Sequence, residues 1–153
     1  MTRPVLTANY MLATEAETGR LGRALAPDLV AGDCVCLFGP LGAGKTALAR
    51  ALIQARLGDT VEVPSPSYTL VNVYAAPVEI WHADLYRLTG PEEVDELGLL
   101  DALSHAILLI EWPDRLGEDL PERRLDIELS HLAQGRRATL SAQGQGWHLP
   151  EAV

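Results

Sequence analysis

Eight residues, Gly39-Pro40-Leu41-Gly42-Ala43-Gly44-Lys45-Thr46, match G-x-x-x-x-G-K-[ST], the pattern of a phosphate-binding loop. The chemistry follows from residue type. Glycines let a backbone wrap closely, so that its N–H groups point at phosphate oxygens. Nucleotide contacts are therefore expected on Gly39, Leu41, Gly42, Ala43, Gly44, Lys45 and Thr46. A helix beginning near Lys45 would aim its positive dipole end at the same anion. Lys45 can reach the β- and γ-phosphates, and the Thr46 hydroxyl can ligate Mg²⁺. Lys45 is also the only lysine in a chain where arginine is common. A compact ammonium is not interchangeable with a planar guanidinium fork.

A phosphate loop alone does not complete a catalytic site, because Mg²⁺ usually needs a carboxylate on a neighbouring strand end. Glu111 ends the most apolar run of the chain, Ala106-Ile107-Leu108-Leu109-Ile110. An acid there is costly without a cation or hydrogen bonds, and strand C-terminal ends border ligand crevices in α/β sheets. Glu111 is read as a Mg²⁺ ligand beside Thr46. Asp84 is the second acid; it either holds or orients a water, or it caps a helix or pairs with Arg87. His82 shares a strand face with Asp84 and is read as a hydrogen-bonded structural histidine before a catalytic base. Lys45, Asp84 and Glu111 are the candidates for a catalytic set. Ser65, Ser67 and Thr69 sit in a proline-bracketed loop. They can act as a nucleotide-sensing switch, or the loop is an ordinary turn. Trp112 covers the site, meets a partner, or packs in the core.

These residues need elements to hold them. Cys34 to Phe38 is a short apolar strand feeding the loop, and 45–57 is rich in helix formers and ends at Gly58. Thr14 and Glu17 spell a capping box for a helix running to about Ala26. Val5 to Met11 is a weak first strand. Thr69 to Tyr74 and Val78 to Tyr86 read as an antiparallel hairpin. Pro91 opens a helix to about Leu97, and a short helix follows through Asp101-Ala102-Leu103. Leu125, Ile127 and Leu129 alternate with polar residues, and Arg136 to Ser141 returns after the turn at Gly135. The order predicts an α/β fold: a P-loop NTPase-like three-layer sandwich with a mixed central sheet carrying added antiparallel strands. All of it is expected to form a single domain, 1–153.

Composition narrows the functional class. With 48% hydrophobic and 22% charged residues the chain is ordinarily globular. No run of about 18 apolar residues could span a membrane, and the first residues lack a signal-type apolar core, so a cytoplasmic protein is expected. A net charge of −9 offers no basic surface for nucleic acid. Any role in nucleic-acid chemistry would run through a protein partner. Cys34 and Cys36 point to one strand face and are read as small buried thiols.

Five segments together resemble the TsaE (formerly YjeE) family, the ATPase of bacterial tRNA threonylcarbamoyladenosine biosynthesis. They are Gly42-Ala43-Gly44-Lys45-Thr46, Ser65-Pro66-Ser67-Tyr68-Thr69-Leu70-Val71, His82-Ala83-Asp84-Leu85-Tyr86-Arg87-Leu88, Glu96-Leu97-Gly98-Leu99 and Ile110-Glu111-Trp112-Pro113. The resemblance implies ATP and Mg²⁺ as cofactors and slow hydrolysis by the chain alone. It also implies a complex with TsaB and TsaD, in which TsaD performs the transfer to tRNA and the ATP cycle resets the assembly; contact with tRNA would be indirect. Gln134-Gly135-Arg136 matches a further family segment, which makes Arg136 a nucleotide contact where its residue type alone suggests a solvent-facing charge. Glu15 or Thr18 would lie near the adenine. One departure is Ser65-Pro66-Ser67, where the family commonly has Ser-Pro-Thr; a hydroxyl is kept.

Two rival classes share the loop. A small-molecule kinase would need an acceptor pocket and usually an arginine-rich lid; no lid insertion is visible, and Glu92 to Glu96 would repel anionic acceptors. A non-catalytic nucleotide-dependent switch would differ only in showing no turnover within its complex.

Overall fold

A computed structural model describes residues 4–153, with side chains from Leu6 onward; the reading of the extreme N-terminus falls largely on residues outside it. Strand β1 (Pro4–Leu12) precedes helix α1 (Glu15–Leu25). Thr14 caps that helix as its sequence predicts: its hydroxyl accepts from Glu17 N, and the Glu17 carboxylate accepts from Thr14 N. A short 3-10 turn leads to β2 (Cys34–Phe38), the phosphate loop and α2 (Lys45–Leu57). Then come β3 (Val71–Tyr74), β4 (Glu79–Asp84), α3 (Pro91–Asp95), α4 (Leu99–Ala102), β5 (Ala106–Glu111), a 3-10 segment (Pro113–Asp119), β6 (Arg124–His131) and β7 (Arg136–Gln143).

The strands form one seven-stranded sheet in the order β1-β7-β6-β2-β5-β4-β3. Its centre, β6-β2-β5-β4, is parallel. Antiparallel strands are added at both ends: β7 and β1 beyond β6, and β3 beyond β4. The expected mixed α/β sheet is therefore present. Parallel alignment puts the C-terminal ends of β2, β4 and β5 at one edge, where Phe38, Asp84 and Glu111 emerge together. That edge is the place where open α/β sheets bind ligands.

The central strands alternate between two cores. Val35 and Leu37 of β2, with Ile107 and Leu109 of β5, face α1 and α2 through Leu21, Leu25, Leu48, Leu52 and Ile53. Cys34, Cys36, Leu108 and Ile110 face the other way, toward Val94, Leu99, Ala102 and Leu116. The two thiols are fully buried with sulfurs 3.8 Å apart, and this contact together with burial raises the Cys36 pKa well above the usual thiol range.

Several element boundaries shift from expectation, three of them for a visible local reason. β3 begins at Val71, because Leu70 takes φ +68° as its N–H bonds to the Pro66 carbonyl. β4 stops at Asp84, whose carboxylate turns the chain by accepting from Tyr86 N. The short fourth helix starts at Leu99 rather than Asp101, since Gly98 at φ +72° already supplies the break.

α1 and α2 touch closely at Gly22. A Cβ there would lie 2.6 Å from the Leu48 carbonyl oxygen and 3.1 Å from Leu52 N, both backbone atoms that cannot swing aside. Gly22→Ala should therefore destabilise the fold by about 1–3 kcal/mol, the usual cost of overpacking. This would outweigh the small helix-propensity gain from alanine. A urea titration checks it; an unchanged midpoint would mean that α1 slides without cost.

Candidate functional site

The loop is built from the backbone upward. Gly39 sits at φ +145°, and a Cβ there would lie 2.6 Å from the Leu129 carbonyl of β6, so only glycine fits where the strand turns out. Gly44 at φ +105° caps α2, and its carbonyl accepts from Leu48 N to start the helix. Lys45 is nearly buried at 5% exposure. Its Nζ donates to the Gly39 carbonyl at 2.6 Å and the Pro40 carbonyl at 2.8 Å, and lies 4.5 Å from the Trp112 ring centre. Burial lowers the Lys45 pKa, against a smaller upward pull from Glu111 and Asp84.

The acids stand opposite. Asp84 and Glu111 are register partners on β4 and β5 and so share one sheet face. The Thr46 hydroxyl lies 2.9 and 3.1 Å from the two Glu111 oxygens. Glu111 is only 2% exposed and also meets His82 Nε2 at 2.7 Å. One Asp84 oxygen accepts from Tyr86 N at 3.0 Å, and the other lies 3.4 Å from the Ser67 hydroxyl. The Ser65 and Ser67 hydroxyls are 2.7 Å apart.

These groups surround a cleft of about 350 Å³. Leu41, Gly42, Gly44, Lys45 and Thr46 form one wall, and Ser65, Ser67, Asp84 and Glu111 stand on it as well. Glu15 and Arg136 also line it. Other expected residues lie behind the wall. Gly39 contributes its carbonyl to Lys45, and Ala43 is packed in the core. Thr18 is fully buried, its hydroxyl 3.5 Å from Arg136 Nη1, so Glu15 alone of the proposed adenine pair reaches the cleft. Thr69, the third residue of the expected switch, lies outside the cleft lining, and its hydroxyl donates to Asn72 at 2.7 Å. His82 is fully buried off the cleft wall, which fits a structural histidine and not a base acting on a bound molecule. Trp112, at φ +59°, turns its ring over Lys45 and stacks tilted on Tyr86 at 4.8 Å, so it covers the site.

Arg50 was absent from the sequence reading, yet it lines the cleft and anchors itself by donating from Nε to the Val63 carbonyl at 3.0 Å. The signal was available: Arg50 is four residues after Thr46 and thus shares its helix face.

The donor set suits a hard cation. One hydroxyl and two carboxylates present oxygen only, and Mg²⁺ binds through one or two carboxylates plus waters and phosphate oxygens. Among the described residues no three His, Cys, Asp or Glu side chains cluster into a metal cage.

A glycine loop between a parallel strand and a helix, at the C-terminal edge of a mixed sheet, defines the P-loop NTPase-like class of α/β protein. The fold is similar to the crystal structure of YdiB from Bacillus subtilis, with TM-score 0.74, 24% identity, and coverage of 91% of this chain and 87% of that one. Residues 12–139 match the family model described as threonylcarbamoyl adenosine biosynthesis protein TsaE. The tRNA threonylcarbamoyladenosine biosynthesis protein TsaE of Rickettsia bellii is 37% identical over 87% of this chain and 93% of its own. The protein of that name from Streptomyces coelicolor is 36% identical over 83% and 91%, and that of Haemophilus influenzae 41% over 71% and 70%. The chain belongs to the TsaE family of tRNA threonylcarbamoyladenosine biosynthesis proteins. No helix among the described residues is long and apolar enough to cross a membrane.

Proposed function

We propose that the chain acts as a single ATPase unit in the cytoplasm: it binds ATP with Mg²⁺ and hydrolyses it slowly alone and faster with partners. The observation that carries this reading is the grouping of Thr46, Glu111 and Asp84 beside Lys45 in the lining of one cleft. The loop N–H groups and the start of α2 bind the phosphates. Lys45 donates to the β- and γ-oxygens in place of the Gly39 and Pro40 carbonyls. Thr46 and Glu111 hold Mg²⁺, which when bound neutralises charge on the transferring phosphoryl group. Asp84 orients the attacking water, and Ser67 beside it reports on the γ-phosphate. Arg136 and Arg50 supply positive charge at the cleft wall, Glu15 faces the base, and Trp112 screens the phosphates from water.

The hydrolysis serves threonylcarbamoyl modification of tRNA within a complex with TsaB and TsaD, and it resets that complex between turnovers. Family membership supports the pathway; the −9 charge supports reaching tRNA only through those proteins. The test is phosphate release from ATP by the chain alone, with TsaB and TsaD, and with each mixture treated with EDTA. Release should be slow alone, rise when both partners are present, and fall to background with EDTA. No release in any mixture would leave a nucleotide switch; ADP formed without phosphate release, and only on adding a small acceptor, would indicate a kinase.

A further inference from the structure

We infer that His82 is a positioning residue: its Nε2–H fixes the Glu111 carboxylate in the one rotamer that can share a cation with Thr46. The inference rests on the reading of Glu111 as a Mg²⁺ ligand. Glu111 is almost wholly removed from solvent, and its side-chain bonds come from two residues. Thr46 spans both oxygens, so it does not choose between them. His82 bonds only Oε2, at 2.7 Å, from a fully buried position on β4. An ionised carboxylate can only accept, so Nε2 carries the hydrogen. Oε2 is thereby held by His82, while Oε1 has Thr46 as its nearer partner.

The His82 ring itself has no freedom to do otherwise. It is fully buried on β4, between Ile80 and Asp84 along the same strand face. Among the described residues its Nδ1 has no hydrogen-bond partner, and it is out of solvent. A buried polar atom left unpaired is a cost that native structures seldom carry without a function. An apolar side chain would remove that cost, but it would also leave the Glu111 carboxylate held by a single hydroxyl. Partners behind a metal ligand commonly contribute about 10–100-fold to metal affinity.

The test uses His82→Gln and His82→Asn. The glutamine amide reaches the place of Nε2; the shorter asparagine amide reaches only the place of Nδ1. Mn²⁺ binding is titrated by electron paramagnetic resonance in the presence of a non-hydrolysable ATP analogue, and analogue binding is measured separately in EDTA. His82→Asn should weaken Mn²⁺ binding about tenfold or more, and His82→Gln should stay within about threefold of the unaltered chain, following the range for such partners. Analogue binding in EDTA should be equal in all three. Equal Mn²⁺ affinity for both variants, whether high or low, would overturn the inference by reducing His82 to packing. Should asparagine prevent folding, the unaltered chain decides: the Nε2–H nitrogen signal of His82 should shift when Mg²⁺ and the analogue are added, and a static signal would overturn the inference. Failure of the site reading looks different, because then the unaltered chain itself takes up no Mn²⁺, and the inference falls with it.

Discussion

Lys45→Ala should weaken ATP binding by about a hundredfold or more while leaving the chain folded. Hydrogen bonds to charged groups contribute about 1.5–3 kcal/mol each, and Lys45 is the only cation whose ammonium lies within the loop itself. No other lysine exists to take its place. Arg50 is tied to the Val63 carbonyl, and Arg136, although it packs against Gly44, bonds Thr18 and not the Gly39 and Pro40 carbonyls that hold Lys45. The substitution also removes a buried ammonium from the Trp112 ring, which offsets part of any stability loss because burial already disfavours its charge. Calorimetric titration with ATP checks the affinity, and a melting curve checks the fold. Binding at near the unaltered strength would sink the site assignment, since the loop would then hold ATP through backbone groups alone.

Asp84→Asn should cut turnover about a hundredfold or more and leave ATP affinity within a few fold. Asparagine keeps the shape and can still accept from Tyr86 N, so the turn after β4 survives. What is lost is the negative charge beside Glu111, and groups that orient or deprotonate a nucleophile typically contribute 10²–10⁴-fold. Phosphate release in the presence of both partners, set against binding of a fluorescent ATP analogue, separates the two effects. A variant with full turnover and a lower melting temperature would return Asp84 to a turn-forming role, in which its bonds to Tyr86 and Ser67 are all it supplies.

How far the sequence reaches can be judged residue by residue. The loop, its strand and its helix were legible because phosphate binding needs glycine and lysine at fixed spacing, and flanking periodicity is local. Glu111 was legible because an acid at the end of an apolar run contradicts its surroundings. The His82–Glu111 bond was not legible: it joins residues 29 apart in the chain, through a β4–β5 pairing that no local pattern specifies. The direction of Thr69 was not legible for a related reason. Its direction depends on the turn from Pro66 to Leu70, where a leucine is driven to φ +68°, a conformation that propensity argues against. Thr18 and Glu15 lie three residues apart near the start of one helix, yet one is fully buried and the other lines the cleft. Only the family resemblance pointed to the pair at the site; the contact of Thr18 with Arg136 is what distinguishes them.

The paired thiols behind the sheet give the molecule a built-in clock for local opening. Cys34 and Cys36 are the only cysteines, they lie on the strand that feeds the phosphate loop, and neither touches solvent. Burial makes both inert while β2 stays covered, and contact with Cys34 together with burial further holds the Cys36 thiol from ionising. An alkylating reagent can therefore react only when α3, α4 and the 3-10 segment lift off that face, so the labelling rate measures the free energy of uncovering β2. A ligand that stiffens the loop should slow the clock in proportion to its hold on that strand, and a partner that levers the helices aside should speed it.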